Sequence, residues 1–141
     1  MIRTGTAHYE GLGKSGKGRV STQSGVLSDQ RYDFNTRFEN EAGTNPEELI
    51  AAAHASCFTM ALSFALAGAG HSEGTLDTKA AVTLDKDGDG FSITKSALSL
   101  TATIPGISDE EFQKIAAGAK AGCPVSKVLN CEITLDAKLA A

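Results

Sequence analysis

From Leu49 to Gly70 the chain is apolar almost without interruption, with only His54, Ser56, Thr59 and Ser63 breaking a run of Ala, Leu, Ile, Met, Phe, Cys and Gly. Asn45 before it is a good N-cap and Pro46 suits the first helical position. Glu47 and Glu48 suit the positive end of a helix dipole, and Gly68 and Gly70 suit its finish. The stretch therefore predicts one helix of roughly 23 residues, about 35 Å long. A helix apolar nearly all round is expected to be buried on most sides.

Elsewhere the period is shorter. Residues 3–10, 19–26 and 32–38 alternate as strands, the last two joined by a polar turn at Ser28, Asp29 and Gln30. In the third, Tyr32, Phe34, Thr36 and Phe38 share one face, leaving Arg37 opposite with Asp33 and Asn35 as a solvated charge. Residues 39–44 form a loop into the long helix. After the helix, residues 77–84 and 91–104 read as two strands and Pro105-Gly106 as a break. Ser108 caps a second helix, with Glu111 completing a capping box, and that helix runs to about Ala121. Pro124 opens a third, short helix reaching residue 130, with Cys123 at its N-cap; Cys131 leads into a last strand, 132–139. The order predicts an α+β fold in a single domain, 1–141: a mostly antiparallel sheet with helices on one face, the long central helix packed on it.

Charge and composition narrow the function. Thirteen basic and 17 acidic residues give a net charge of −4 with no basic run, which argues against nucleic acid or an anionic membrane as partner. The N-terminus lacks the apolar core of a signal peptide, and the long helix is too Ala-rich and too punctuated by polar residues for a membrane span. Cytoplasm is the expected compartment. Three cysteines, Cys57, Cys123 and Cys131, then read as free thiols rather than a secreted disulfide framework.

Two motifs tempt and fall short. Gly13-Lys14-Ser15 resembles the end of a phosphate loop, but His8 stands where its first Gly belongs. Asp85, Asp87 and Asp89 with Gly90 mimic the first half of a calcium loop, but Ser96 stands where a bidentate Glu belongs and the flanks are strands; the segment reads as a tight hairpin turn. His8 reads as a strand surface residue.

Cys57 admits two readings: a small buried hydrophobe, or a reactive thiolate, which needs a cation, a carboxylate to hold that cation and an access path. Cys123 at a helix N-terminus is placed where unpaired N–H groups favour a thiolate. His54 lies three residues before Cys57, about 60° round the helix, so a Cys–His ion pair and hydrolase chemistry is one option, and a zinc site with Cys57 and Cys123 a weaker one lacking a fourth ligand. A redox sensor or binding module is another, although the chain shows no output element.

The pieces Ser-Gly-Val-Leu at 24–27, Phe-Asn-Thr-Arg-Phe at 34–38, Gly-Thr-Asn-Pro-Glu-Glu-Leu-Ile at 43–50, Ala-Ala-His-Ala-Ser-Cys-Phe at 52–58 and Ala-Gly-Cys-Pro-Val-Ser at 121–126 resemble the OsmC/Ohr family, most of all its osmotically inducible OsmC branch. The resemblance spans nearly the whole chain, with Cys131 extra to the pattern. It implies a thiol-dependent peroxidase of oxidative and osmotic stress defence that reduces organic hydroperoxides to alcohols. Cys57 would be the peroxidatic cysteine and Cys123 the resolving one, with Arg37 and Glu47 completing the site. It also implies an intertwined homodimer with active sites at the subunit interface.

The residues suit that chemistry. Arg37 can lower a thiol pKa and donate to peroxide oxygens, Glu47 can hold the guanidinium, Cys123 can trap a Cys57 sulfenic acid as a disulfide, and an external dithiol can restore both thiols. No metal or organic cofactor is required. Glu48, about 180° from Cys57 and placed to bond back to the Asn45 amide, has a structural role; Glu47, about 80° away, is the freer carboxylate. Glu47 is nevertheless about 15 Å along the helix from Cys57, so the composite site is expected to draw on two chains.

Overall fold

The computed structural model describes residues 1–140. The architecture is mixed α+β, but the strands form two three-stranded sheets rather than one. Two compact units divide the chain, Met1–Leu49 and the remainder from Ile50.

In the first unit β1 (Gly5–Glu10), β2 (Lys17–Thr22) and β3 (Gln30–Tyr32) pair antiparallel in that order. Gly18 lies opposite Tyr32, where a Cβ would sit 2.2 Å from the Tyr32 carbonyl oxygen, so the close pairing admits no side chain. Residues 32–38 do not continue as a strand. The chain turns at Asp33 into a short helix, α1 (Phe34–Phe38). The Asp33 carboxylate accepts from the amides of Asn35 and Thr36 while the Thr36 hydroxyl closes a capping box onto the Asp33 amide at 2.8 Å. Arg31 donates to the same carboxylate at 2.8 Å and holds it below the usual carboxylate range, helped by those amides against the cost of burial. The alternation of aromatic residues imitated a strand; the cap overrode it.

Helix α2 (Pro46–Gly68) forms as its end signals dictate. Asn45 Oδ1 accepts from the Glu48 amide at 2.8 Å. Glu48 does not bond back as a cap partner; its carboxylate accepts from the Thr44 hydroxyl at 2.8 Å instead. At the other end Gly70 takes φ +95°, and the amides of His71 and Gly70 bond to the carbonyls of Leu66 and Ala67, which caps the helix in a Schellman motif. Replacing Asn45 with Ala is expected to cost about 1 kcal/mol, with Asn45→Gly milder, measured as the shift in urea midpoint at unchanged m-value.

In the second unit β4 (Thr75–Asp87) and β5 (Gly90–Thr103) make a long hairpin, and β6 (Glu132–Leu139) pairs parallel with β5. Among the described residues, three of the four strand pairings are antiparallel, as expected of a mostly antiparallel arrangement, and only β6 joins in parallel. That pairing follows from the crossover through α3 (Asp109–Gly122) and α4 (Pro124–Val128), which returns the chain in the direction of β5. The hairpin closes on Gly88 and Asp89, with Gly88 at φ +59° as a two-residue turn demands. Asp85 and Asp87 accept from the Thr94 and Ser92 hydroxyls across the hairpin. Ser108 caps α3 through the Glu111 amide, but the Glu111 side chain pairs with His71 at 3.1 Å rather than closing a box.

Alternate residues of β5, Ser96, Leu98, Leu100 and Ala102, are buried on one face. Leu98, Leu100 and Ala102 meet Phe58, Leu62 and Leu66 from α2 and Phe112, Ala116 and Ala119 from α3 in one hydrophobic core. Only that stripe of α2, together with His54, is buried there; Met60 and Phe64 on another face are 63% and 71% exposed. The helix is thus not covered on most sides, because this unit supplies a single sheet and α3 to pack against it. By length and composition α2 is apolar enough to cross a membrane, yet here it is the core helix of this unit.

Candidate active site

The helical turn of α1 changes what Arg37 does. Rather than standing as a solvated charge, its guanidinium donates to Glu47: Nε lies 3.1 Å from both carboxylate oxygens and Nη2 bonds Oε1. Glu47 is 8% exposed, at the second position of α2, where the helix N-terminus also favours its charge. A bidentate pair of this kind fixes the guanidinium plane and leaves Nη1 free of Glu47. Beside it lies a cavity of about 250 Å³ with aromatic walls from Tyr9, Tyr32, Phe34 and Phe38, and with Lys14 Nζ 4.7 Å from the Phe34 ring centre. The first unit therefore presents an oriented cation at the edge of an apolar recess.

The second unit holds the thiols. Cys57 on α2 and Cys123 at the start of α4 are both free and close enough for each to shift the other's ionisation. Cys123 is completely buried and Cys57 half-buried. The two sulfurs respond oppositely. Burial and then the neighbouring Cys123 push the Cys57 thiol up, against the Val125 amide, which favours its thiolate. For Cys123, burial works against ionisation, but the Cys57 thiol, the Ser126 amide and hydroxyl and the Val125 amide outweigh it and hold Cys123 below the ordinary thiol value. Of the pair, Cys123 is therefore the more easily ionised, as expected of a cysteine that opens a helix.

His54 is no partner of Cys57. It is fully buried, with Nδ1 2.7 Å from Ser96 Oγ and Nε2 2.8 Å from Ser126 Oγ, and burial pushes its pKa down so that it is neutral. Both ring nitrogens being taken by hydroxyls removes the geometry that a Cys–His nucleophile needs. Ser96 and Ser126 carried no sequence signal of their own, lying 42 and 72 residues from His54. Cys131 stands half-buried and free just before β6.

Residues 38–138 match the family model described as OsmC-like protein. The chain is 59% identical to Peroxiredoxin OsmC of Escherichia coli (strain K12) over 137 residues, covering 97% of this chain and 96% of that protein. It is 31% identical to the organic hydroperoxide resistance protein OhrB of Bacillus subtilis (strain 168), covering 86% and 89%. Among solved structures it resembles an organic hydroperoxide resistance protein from Elizabethkingia anophelis, with a TM-score of 0.73, 27% identity and 99% of each chain covered. With a model match over most of its length, relatives covered nearly end to end, and this fold, the chain belongs to the OsmC-like protein family.

Proposed function

We propose that this protein is a thiol-dependent peroxidase that reduces organic hydroperoxides to alcohols in stress defence, with Cys57 as peroxidatic and Cys123 as resolving cysteine. The observation that carries the reading is the proximity of Cys57 and Cys123, two free thiols of unequal exposure. The names of the relatives, a peroxiredoxin and organic hydroperoxide resistance proteins, support the reaction class and the substrate. Access selects Cys57 for the first step, because the Cys123 side chain is wholly buried. As the Cys57 sulfur attacks the distal peroxide oxygen, its proton passes to the departing oxygen. The O–O bond breaks, Cys57 becomes a sulfenic acid, and the departing alkoxide leaves as the alcohol. Cys123 then attacks the Cys57 sulfur, an S–S bond forms, the S–O bond breaks and water leaves. The pair loses two hydrogens and the peroxide gains them; an external dithiol reverses the oxidation by exchange.

Cys57 is held protonated by its own surroundings, so the chemistry needs a cation, and the oriented guanidinium of the Arg37–Glu47 pair is the one suited to it. The site is composite in this reading, Arg37 and Glu47 of one subunit serving Cys57 of the other in an intertwined homodimer. Two features support a partner: β1 is exposed along its whole length, and the Met60–Phe64 face of α2 is apolar and uncovered. The family match runs from 38 to 138 across both units, which supports treating 1–141 as a single functional domain. No metal or organic cofactor enters the scheme, nor does nucleic acid or a membrane, and the reducing cytoplasm suits the free thiols.

Intact mass after one equivalent of cumene hydroperoxide tests the cycle. Wild type should lose two hydrogens, with a Cys57–Cys123 link in the peptide map, and Cys123→Ala should stop at a Cys57 sulfenic acid or pass beyond it. Retention of all three thiols in wild type would end the peroxidase reading.

A further inference from the structure

Arg37 is carried by a helix too short to hold itself. Helix α1 has five residues, and a single helical turn does not persist in water on its own bonds. Its geometry is imposed by Asp33. The Asp33 carboxylate accepts from the amides of Asn35 and Thr36, and its carbonyl accepts from the Arg37 amide at 3.2 Å and the Thr36 hydroxyl at 3.1 Å. Asn45, the cap of α2, donates to the Thr36 carbonyl at 3.4 Å, which sets α1 against the helix start that bears Glu47. Asp33 is only 5% exposed, so its charge needs a partner.

That partner is Arg31, and it reaches beyond the cap. Its Nε lies 2.8 Å from Asp33 Oδ2, while Nη2 lies 3.4 Å from Asp33 Oδ1 and 2.6 Å from Glu41 Oε2. The Arg31 carbonyl accepts from the Thr44 amide at 2.9 Å, and the Glu41 amide donates to the Asn35 carbonyl at 3.2 Å. One residue thus joins the chain entering α1 to the chain leaving it, with Arg37 on the turn between. Nη2 stands between two carboxylates. Without it they would face each other as like charges, one of them buried, and the turn would be pushed open.

We propose that Arg31 is a positioning residue for the oxidation of Cys57: by clamping Asp33 and Glu41 together it holds the turn that aims the Arg37 guanidinium. The proposal rests on the part given to Arg37 in the two-cysteine cycle and adds no reactant to it. Arg31 acts through Arg37 alone.

The test is the rate of Cys57 oxidation by one equivalent of cumene hydroperoxide, read by timed dimedone trapping and intact mass. Arg31→Ala is expected to slow it about tenfold, a part of what losing a preorganised donor outright costs. The later closure of the Cys57–Cys123 disulfide should change less than about twofold, since it does not use the guanidinium. In an Arg37→Gln background, Arg31→Ala should change the oxidation rate less than about twofold, because residues acting as one unit are not additive. Glu41→Ala leaves Asp33 capped and paired, so it keeps the fold, and it should show the same non-additivity at smaller size. Oxidation of Arg31→Ala at the wild-type rate overturns the proposal. So does an undiminished effect of Arg31→Ala in the Arg37→Gln background, or equal slowing of both steps. A second measurement needs no peroxide: the Nε–H of Arg37, identified in a nitrogen-15 spectrum by its loss in Arg37→Gln, should exchange with water about tenfold faster in Arg31→Ala, as expected where the local structure that protects it opens. Unchanged exchange overturns the clamp even where the peroxidase cycle stands. Absence of any Cys57 oxidation in wild type removes the cycle itself, and the exchange rate then decides the clamp alone.

Discussion

Cys57→Ser is expected to abolish hydroperoxide reduction, lowering kcat/KM for cumene hydroperoxide by more than about a thousandfold. Serine keeps the size and half-buried position of the side chain, so the fold should persist, but a hydroxyl neither ionises at neutral pH nor attacks an O–O bond as a thiolate does. The experiment also decides between the two sulfurs. Cys123 is the one drawn down by its neighbours, and were it the primary nucleophile, Cys57→Ser protein would still consume one equivalent of peroxide at Cys123. Its complete burial predicts that it does not. Trapping with dimedone followed by a peptide map reads this directly: an adduct on Cys123 formed at the wild-type rate would reverse the assignment of the two cysteines. Cys131→Ser serves as the control and should stay within about twofold of wild type, since the cycle does not use it.

Arg37→Gln is the second large effect, an expected loss of about 10²–10³ in kcat/KM, the range for removing one preorganised electrostatic donor. The substitution also strands Glu47, a carboxylate only 8% exposed, so thermal unfolding must be measured beside the kinetics. Glu47→Gln keeps a hydrogen-bonding partner for the guanidinium and should lose less. Activity of Arg37→Gln within a few-fold of wild type would remove Arg37 from the chemistry. The same variant tests the composite site. Co-refolded at equal amounts, Cys57→Ser and Arg37→Gln chains should recover about a quarter of wild-type activity, because half the dimers are mixed and one site of each is intact when Arg37 and Cys57 come from different subunits. No recovery at all would mean that each chain supplies its own pair.

The ends of α2 and α3, the Gly88 turn and Cys123 at the entry to α4 were legible because their causes lie within a few residues: a cap, a proline, a glycine able to take positive φ. One local misreading, a strand over residues 32–38, had its remedy in the same stretch. Asp33 followed three residues later by Thr36 is a capping box, and it competed with a convincing aromatic alternation. Glu47 as the freer carboxylate was also readable, since Glu48 sits on another side of the helix; its actual bond to Thr44 was not.

What the chain by itself determined was therefore its elements, its chemistry-bearing residues and, through Cys57, Cys123, Arg37 and Glu47 in their motifs, its family. Tertiary structure alone decided that the strands split into two sheets and that β6 returns parallel to β5. It also enclosed His54 between Ser96 and Ser126, whereas the Arg37–Glu47 bond, missed by the strand periodicity of residues 32–38, was already expected from the family resemblance. The division has a physical basis. Capping and turn preferences are settled by bonds that close over three or four residues, whereas burial, pairing and the ionisation of a thiol depend on which distant side chains exclude water from it, and no local pattern carries that information.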